Sequence, residues 1–127
     1  MLKTSFQIIN LLLIIFYLYP GSILGCLFYD NCNFQPSLTR DFIISSNHFF
    51  AFFIFGLIAL NAFLKERKII IIYIFIISIF LEIMHIVIPN RSFEIKDLFG
   101  NLSGIIISLI IFKLFEFGRN KYGLFRR

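Results

Sequence analysis

Charged residues are scarce in this sequence: Asp, Glu, Lys and Arg together occupy only 15% of its 127 positions, whereas hydrophobic residues occupy 59%. Runs such as 49–64 and 69–81 are apolar on nearly every face of a helix. A soluble domain of this length has too little interior to bury so many apolar side chains. These proportions argue against a soluble protein and predict an all-α integral membrane protein.

Several chemical motifs are also missing. No nucleophile motif is visible, and the two cysteines do not form a metal-binding pattern. Glu82-x-x-His85 has the spacing of a bundle-type di-metal site, but such a site needs a second pair and further carboxylates. Four short helices without an internal repeat give little support for transport. We therefore predict no metal and no cofactor, and we leave open whether the protein is an enzyme.

Four apolar segments are each close to the ~20 residues needed to cross ~30 Å of hydrocarbon. They cover residues 2–19, 47–64, 68–88 and 94–117. No soluble domain fits in the connections between them. The prediction is a single domain over residues 1–127, folded as a bundle of four transmembrane helices.

The region after the first segment leaves alternatives open. Ile23-Leu24-Gly25-Cys26 loosely resembles a lipoprotein cleavage box, but Pro20-Gly21 followed by further apolar residues is more typical of the end of a retained helix, which we expect. Cys26 and Cys32 are six residues apart and would both lie outside the cytoplasm. They either form a disulfide or remain two thiols.

The basic residues predict the orientation, because Lys and Arg are retained in the cytoplasm more readily than they are translocated. With both termini inside, nine basic residues are cytoplasmic and three are on the outer side. The nine are Lys3, Lys65, Arg67, Lys68, Lys113, Arg119, Lys121, Arg126 and Arg127, and the three are Arg40, Arg91 and Lys96. Since the membrane edges explain the net charge of +5, we expect no nucleic-acid partner.

Several polar and small residues of the last three segments fall on restricted helix faces at or near the predicted outer side. They are Ser78, Glu82, His85 and Pro89 in the third segment, Asp97, Gly100, Asn101, Gly104 and Ser108 in the fourth, and His48 at the outer end of the second. The first set spans an arc of about 60° and the second about 100°. The hypothesis is one outward-opening polar cluster, with Gly100 and Gly104 as a close helix contact.

Structural explanations remain open for these residues. Asp97 favours a helix N-terminus through the macrodipole, at about 0.3–1 kcal/mol, and Arg91 could extend to lipid headgroups. Glu82 could form an internal ion pair with Arg91 or hydrogen bonds with Asn101. A lone interfacial histidine such as His48 is more often a packing contact than a catalyst.

The stretch Glu82-x-x-His85-x-x-x-Pro89-x-Arg91-Ser92-Phe93-x5-Phe99-x-Asn101, with Asp97 and Gly104, resembles the VanZ-like family. The family pattern is a glutamate, a glutamine, a proline and an arginine, then aspartate, asparagine and glycine opening the last helix. His48-Phe49 looks like the family's earlier histidine–phenylalanine block, and the match covers roughly residues 46–108. Two departures are His85 in place of the usual glutamine and Ile44-Ser45 in place of an aspartate–lysine pair.

The resemblance implies a four-helix, multi-pass protein of the bacterial cytoplasmic membrane. The family's namesake is associated with low-level resistance to teicoplanin, a glycopeptide antibiotic that carries a lipid tail. The resemblance supplies this phenotype and no molecular mechanism, so the function has to be argued from the polar residues.

The leading hypothesis is a binding protein that engages an amphiphile at the outer leaflet. Besides membrane lipids, its partner would be a lipid-linked cell-wall precursor or a lipid-tailed antibiotic. Arg91 would bind a phosphate or carboxylate. Glu82, Asp97 and Asn101 would bind the rest of the polar head, with His48 and His85 beside them.

Two alternatives belong to other classes of protein. In an enzyme, Glu82 or His85 would act as a general base on a headgroup bond and His48 as an acid. In a structural protein, the polar residues would only assemble the bundle, or a homo-oligomer through Gly100 and Gly104.

Overall fold

The computed structural model describes residues 1–41 and 43–122, without the side chains of Asn120 and Tyr122. Within these ranges the chain forms five α-helices and no strand, so the predicted all-α class is confirmed. The helices are α1 (Leu2–Leu18), α2 (Ile23–Tyr29), α3 (Ser46–Ala62), α4 (Arg67–Met84) and α5 (Ile95–Tyr122). Arg126 and Arg127, which the orientation argument assigns to the cytoplasm, lie outside the described residues.

A sharp break separates α1 from α2. Tyr19 is extended because the ring of Pro20 disfavours a helical conformation in the residue before it. Ser22 then caps α2, since its hydroxyl oxygen accepts a hydrogen bond of 3.0 Å from the amide of Gly25. The two helices are bent by 81° relative to each other. The sequence did not predict α2, because seven residues are too few to show a clear period.

The connection from α2 to α3 is folded back on itself. A disulfide joins Cys26 and Cys32, and the carbonyl of Cys32 accepts a hydrogen bond from the amide of Ser22 at 2.7 Å. Asn47 at the start of α3 donates to the carbonyl of Pro36 at 2.7 Å and accepts from the amide of Leu38 at 2.8 Å. These bonds fasten the connection to the first turn of α3.

The third apolar segment ends as a helix earlier than expected. The prediction places a helix at 68–88, whereas α4 ends at Met84. The next three amides bond to carbonyls three residues back, as in a tightening final turn. Pro89 accounts for the end of the helix, because it disfavours a helical Ile88. Since Pro89 is exposed, the predicted polar stripe stops at His85. The last helix, in contrast, continues to Tyr122.

Small residues bring α3 and α5 into close contact. A Cβ atom at Gly100 would lie 2.8 Å from the carbonyl oxygen of Ser45, and one at Gly104 would overlap the carbonyl oxygen of Phe49. These two glycines therefore face a helix of their own chain. A homo-oligomer through Gly100 and Gly104 would have to displace α3.

The interior is apolar over most of its length. Its fully buried apolar side chains belong to α3, α4 and α5, and they are Phe52, Phe55, Ala59, Leu60, Ile74, Leu81 and Ile105. Phe6 of α1 completes this core, with its ring centroid 5.3 Å from that of Phe55. Buried polar residues concentrate beyond the core, where α3 and α5 begin and α4 ends, a region we call the polar end.

Ion pairs mark the opposite end of the bundle. Nζ of Lys3 lies 3.3 Å from Oε1 of Glu66, and Arg67 donates two hydrogen bonds of 2.9 Å to the carboxylate of Glu116. We call the region of these four residues the basic end. They tie the start of α1 and the start of α4 to their neighbours.

Helix length and composition identify one span or two. Among the described residues, α5 alone is long and apolar enough to cross a membrane, and α1 with α2 is a second candidate if the bent pair forms one span. The apolar α3 has only 17 residues. The 18 residues of α4 include Arg67, Lys68 and Glu82. The predicted four-span bundle therefore goes beyond what helix length supports.

Candidate functional site

The polar residues of four helices meet at the polar end. His48 comes from the first turn of α3, Glu82 from the last turn of α4, and Asp97 and Asn101 from the start of α5. Glu82 and Asn101 are completely buried. We define the polar cluster as Tyr17, His48, Glu82, His85, Asp97 and Asn101. Five of these six residues are among those that the sequence singled out.

His48 is the residue through which the polar cluster is connected. Its Nε2 lies 3.4 Å from Oδ2 of Asp97. Its Nδ1 lies 3.1 Å from both Oδ1 of Asn101 and the hydroxyl of Tyr17, and 3.7 Å from Oε2 of Glu82. The ring is therefore held by contacts from α1, α4 and α5 together.

Glu82 is bonded on one side only. Its Oε1 accepts a hydrogen bond of 3.2 Å from the amide of Glu94 and lies 3.4 Å from Nδ1 of His85. Its Oε2 is buried and has no hydrogen-bond partner among the described residues. The ion pair with Arg91 and the hydrogen bonds with Asn101 that the sequence allowed are not formed, since both residues bond elsewhere. A buried carboxylate oxygen without a donor is energetically costly.

Tyr17 is a member of the cluster that sequence reasoning missed. Its hydroxyl donates to Oδ1 of Asn101 at 2.8 Å, and its backbone carbonyl lies 3.1 Å from Nε2 of His85. The rings of Tyr17 and His85 stack with centroids 5.7 Å apart. The available signal was the hydroxyl itself, because a tyrosine buried in an apolar helix needs a partner for that group.

Arg91 lies apart from the other predicted site residues. It donates to Oε1 of Gln35 at 3.0 Å and to the carbonyls of Phe16 and Tyr19 at 3.2 and 3.3 Å. These carbonyls belong to the end of α1, where helical acceptors lack partners within the helix. Burial lowers the pKa of the Arg91 guanidinium from its ordinary value, but a guanidinium stays protonated at neutral pH. Arg91 therefore contributes a permanent positive charge.

A cavity of about 480 Å³ lies between α1 and α3, next to Arg91. Its walls are mostly apolar and include Leu12, Phe16, Leu24, Phe50, Ala51 and Ile54. Its polar boundary includes Tyr17, His48, His85, Gln35 and Arg91. Pockets of roughly 300–1,000 Å³ with apolar walls and a few polar groups are typical of small-molecule sites.

Three members of the polar cluster offer ligand atoms of the type that metals bind. One atom each from His48, Glu82 and Asp97 lies within 4.8 Å of the other two. The prediction of no metal considered the spacing of Glu82 and His85. The three residues that the structure brings together, His48, Glu82 and Asp97, belong to three separate helices. Their proximity therefore cannot be read from spacing within the sequence.

A capping interaction organises the chain in front of α3. The carboxylate of Asp41 accepts a hydrogen bond of 2.9 Å from the amide of Ser46. This bond holds the pKa of Asp41 below its ordinary value. Ser46 also donates through its hydroxyl to the carbonyl of Thr39 at 3.0 Å. Asp41 lies four residues before the N-cap Ser45, so the usual pattern of a capping residue directly before an apolar run does not reveal this bond.

Together, the fold and the site define a small helical protein with an apolar cavity and a buried polar cluster at one end. The chain belongs to the VanZ/LLP1 family, whose model matches residues 3–116. This match confirms the family that the polar pattern predicted. A search of curated proteins found no match, and neither did a search of solved structures.

Proposed function

We propose that this protein is a multi-pass protein of the bacterial cytoplasmic membrane that binds one amphiphile at the outer leaflet. The apolar chain of the amphiphile occupies the cavity between α1 and α3, and its anionic head pairs with Arg91. The observation that carries this proposal is the combination of an apolar cavity with one permanently charged guanidinium at its edge.

The outward faces of the helices support placement in a membrane. The exposed side chains of α4 are nearly all large and apolar, and they include Ile69 and Ile76 at 71% and 62% exposure. A soluble monomer rarely exposes a continuous apolar surface of this kind. Contact between an apolar surface and lipid carries no hydration penalty. We therefore place the four long helices, α1, α3, α4 and α5, across the bilayer.

The distribution of charge supports the orientation. The basic end contains Lys3 and Arg67, and further basic residues follow in the last part of α5. Because Lys and Arg accumulate on the cytoplasmic side, we assign the basic end to the cytoplasm. The polar end with its cavity then faces the outer leaflet.

The contacts of Arg91 leave room for an anion. Its bond to Gln35 is exposed and joins a charged donor to a neutral acceptor. A phosphate or carboxylate is a stronger acceptor for a guanidinium and can replace the carboxamide oxygen. A headgroup with one accessible negative charge therefore fits the edge of the cavity.

The family narrows the class of amphiphile. Its namesake is associated with resistance to a glycopeptide that carries a lipid tail and is therefore itself an amphiphile. A lipid-linked cell-wall precursor has the same general form, with a long apolar chain and an anionic polar head. We propose molecules of this form as the occupants, and teicoplanin resistance as one consequence of binding them.

Photolabelling tests the proposal. Purified protein in nanodiscs would be irradiated with phosphatidylglycerol that carries a diazirine in one acyl chain, and the labelled residues located by mass spectrometry. We expect labels on cavity residues of α1 and α3. Ala51→Phe should abolish them by filling the cavity, and Arg91→Gln should reduce them about tenfold by removing the anion contact.

Arg40→Gln is the matched control, because Arg40 is an exposed basic residue of the connection that leads into α3 and does not line the cavity. Its labelling should equal that of the wild type. Labels spread evenly over the exposed isoleucines of α4, and unchanged in both cavity variants, would contradict the proposal.

One observation favours an enzyme as the second candidate. His48 lines the cavity, and its Nε2 lies 3.4 Å from a carboxylate oxygen of Asp97. A carboxylate that orients an imidazole in this way is common in general-base catalysis. Turnover of a lipid-linked substrate by the purified protein, lost in Asp97→Asn, is the result that this candidate requires.

A further inference from the structure

We propose that His48, Glu82 and Asp97 form a binding site for one divalent first-row transition-metal ion, of the type of Zn²⁺ or Mn²⁺. The inference is independent of the proposed amphiphile, since it rests on the geometry of the polar cluster alone.

The ligand atoms already stand close together. One nitrogen of His48 and one carboxylate oxygen each of Glu82 and Asp97 lie within 4.8 Å of one another. An ion held at about 2.0–2.2 Å by three tetrahedral ligands places the ligand atoms about 3.3–3.6 Å apart, so each pair has to close by at most about 1.5 Å. A small adjustment of the side chains therefore brings all three onto one ion.

Glu82 supplies an independent indication of a missing partner. Its side chain is completely buried, and Oε2 has no hydrogen-bond donor among the described residues. This is also the oxygen that points toward His48, at 3.7 Å from Nδ1. Since a buried carboxylate oxygen without a partner is costly, an ion at this position would remove the cost.

Charge balance points to a cation as well. Glu82 and Asp97 bring two carboxylates to His48, with Nδ1 of His85 at 3.4 Å from Oε1 of Glu82, and the permanently charged basic side chains nearby are engaged elsewhere. Arg91 bonds to Gln35 and to carbonyls of α1, and Lys96 pairs with Glu94 at 3.1 Å. A divalent ion balances the charge of the two carboxylates.

The donor set selects the class of metal. One imidazole nitrogen with two carboxylate oxygens suits Zn²⁺ or Mn²⁺, whereas Ca²⁺ and Mg²⁺ prefer oxygen ligands throughout. Soft thiolate ligands are not involved, because Cys26 and Cys32 are joined to each other.

The surroundings of His48 match those of a metal ligand. Its Nδ1 lies 3.1 Å from Oδ1 of Asn101, and metal-bound histidines usually donate their other ring N–H to such an oxygen. Asn101 is itself held by the hydroxyl of Tyr17 at 2.8 Å and donates to the carbonyl of Ser78 at 3.3 Å. Nε2, 3.4 Å from Oδ2 of Asp97, is then the atom available to the ion, and Oε2 of Glu82, which now lies 3.7 Å from Nδ1, would turn toward the same ion.

A protonated His48 between two carboxylates is the competing explanation. It accounts for the short distance to Asp97, but it leaves Oε2 of Glu82 at 3.7 Å, beyond hydrogen-bonding distance. The two explanations differ in whether the purified protein takes up an ion, so binding measurements separate them.

The test is titration of the full-length protein with Zn²⁺, and separately with Mn²⁺, by calorimetry after treatment with EDTA and without added lipid. We expect one ion per chain. Glu82→Gln and Asp97→Asn should each weaken the affinity at least about 100-fold, because each removes one of three ligands. Glu94→Gln, which changes an exposed carboxylate beside the cluster, should leave the affinity unchanged.

A second measurement needs no variant. The X-ray absorption spectrum of the Zn²⁺-loaded wild type should show nitrogen and oxygen ligands at about 2.0–2.2 Å, including one imidazole and no sulfur. If Glu82→Gln fails to fold, Asp97→Asn and this spectrum decide the question. The absence of saturable binding in the wild type, or equal affinities in Asp97→Asn and Glu94→Gln, would overturn the proposal. Because no lipid is present, neither result bears on the amphiphile.

Discussion

The two ends of the bundle use the same residue types in different ways. At the basic end the carboxylates of Glu66 and Glu116 each have a basic partner, and the Lys3–Glu66 pair is about half exposed. At the polar end Glu82 is completely buried beside two histidines, and its Oε2 has no hydrogen-bond partner among the described residues. Exposed ion pairs contribute about 0–1 kcal/mol, whereas a buried carboxylate costs several kcal/mol unless it is compensated. The two ends therefore differ in how completely their carboxylates are compensated, and the polar end is the less compensated of the two.

The largest effect should come from the helix contact beneath the polar cluster. Gly104→Ala places a methyl group against the carbonyl of Phe49 and should lower the free energy of unfolding by about 3 kcal/mol. Gly118→Ala, toward the basic end of the same helix, adds a methyl group that meets no atom of the described part of the chain within 4 Å, and it should raise the free energy of unfolding by up to about 1 kcal/mol. Unfolding in mixed detergent micelles measures the change in free energy of unfolding for each variant. Equal changes in the two variants would contradict the proposed difference between the two ends of the bundle.

Two asparagines allow a comparison of buried and exposed polar groups. Asn101→Ala removes a completely buried side chain that bonds to Tyr17 and to the carbonyl of Ser78, and it should cost about 2 kcal/mol. Asn61 is exposed and donates only to the carbonyl of Leu57, so Asn61→Ala should change stability by less than about 0.5 kcal/mol. The same unfolding assay tests both variants. A comparable loss in Asn61→Ala would mean that burial is not the cause.

The smallest effect should depend on pH. Hydrogen bonding from Ser46 lowers the pKa of Asp41 in the folded state, so its stabilisation is present above the ordinary pKa of aspartate, about 3.9. It is lost as the pH falls through the lowered value. The difference in Tm between wild type and Asp41→Ala should therefore shrink to nothing in acid. A difference that persists at low pH would show that Asp41, although at the polar end, acts through packing rather than charge.

Much of the fold follows from the apolar runs of the sequence. The runs at 2–19 and 47–64 correspond closely to α1 and α3. An apolar segment offers its backbone no polar partners outside itself, so its N–H and C=O groups bond to each other in a helix. The short α2 was not found, since its formation depends on the bend at Pro20 and the cap at Ser22. The early end of α4 likewise depends on a local turn before Pro89.

The sequence predicted which residues belong to the candidate site better than it predicted the hydrogen bonds between them. Glu82, Asp97 and Asn101 could be placed on inward faces, because polar groups avoid lipid and the helical period is fixed. Their partners depend on how the helices rotate against one another, which no single helix encodes. Arg91 therefore proves to bond with carbonyls of α1 instead of Glu82, and Tyr17 was overlooked. Ligand binding at these residues remains a prediction.

The bend between α1 and α2 has a consequence for the depth of the protein in the bilayer. α2 exposes Leu27, Phe28 and Tyr29, and its axis turns 81° away from α1. If α1 crosses the membrane as proposed, α2 lies along the membrane surface with these side chains between headgroups and acyl chains. Since α2 is joined to the neighbouring loop through Cys26 and Cys32, the bundle cannot slide inward or outward without moving this anchor. Under the proposed topology, the opening of the cavity would therefore stay level with the headgroups, even where the surrounding bilayer becomes thicker or thinner.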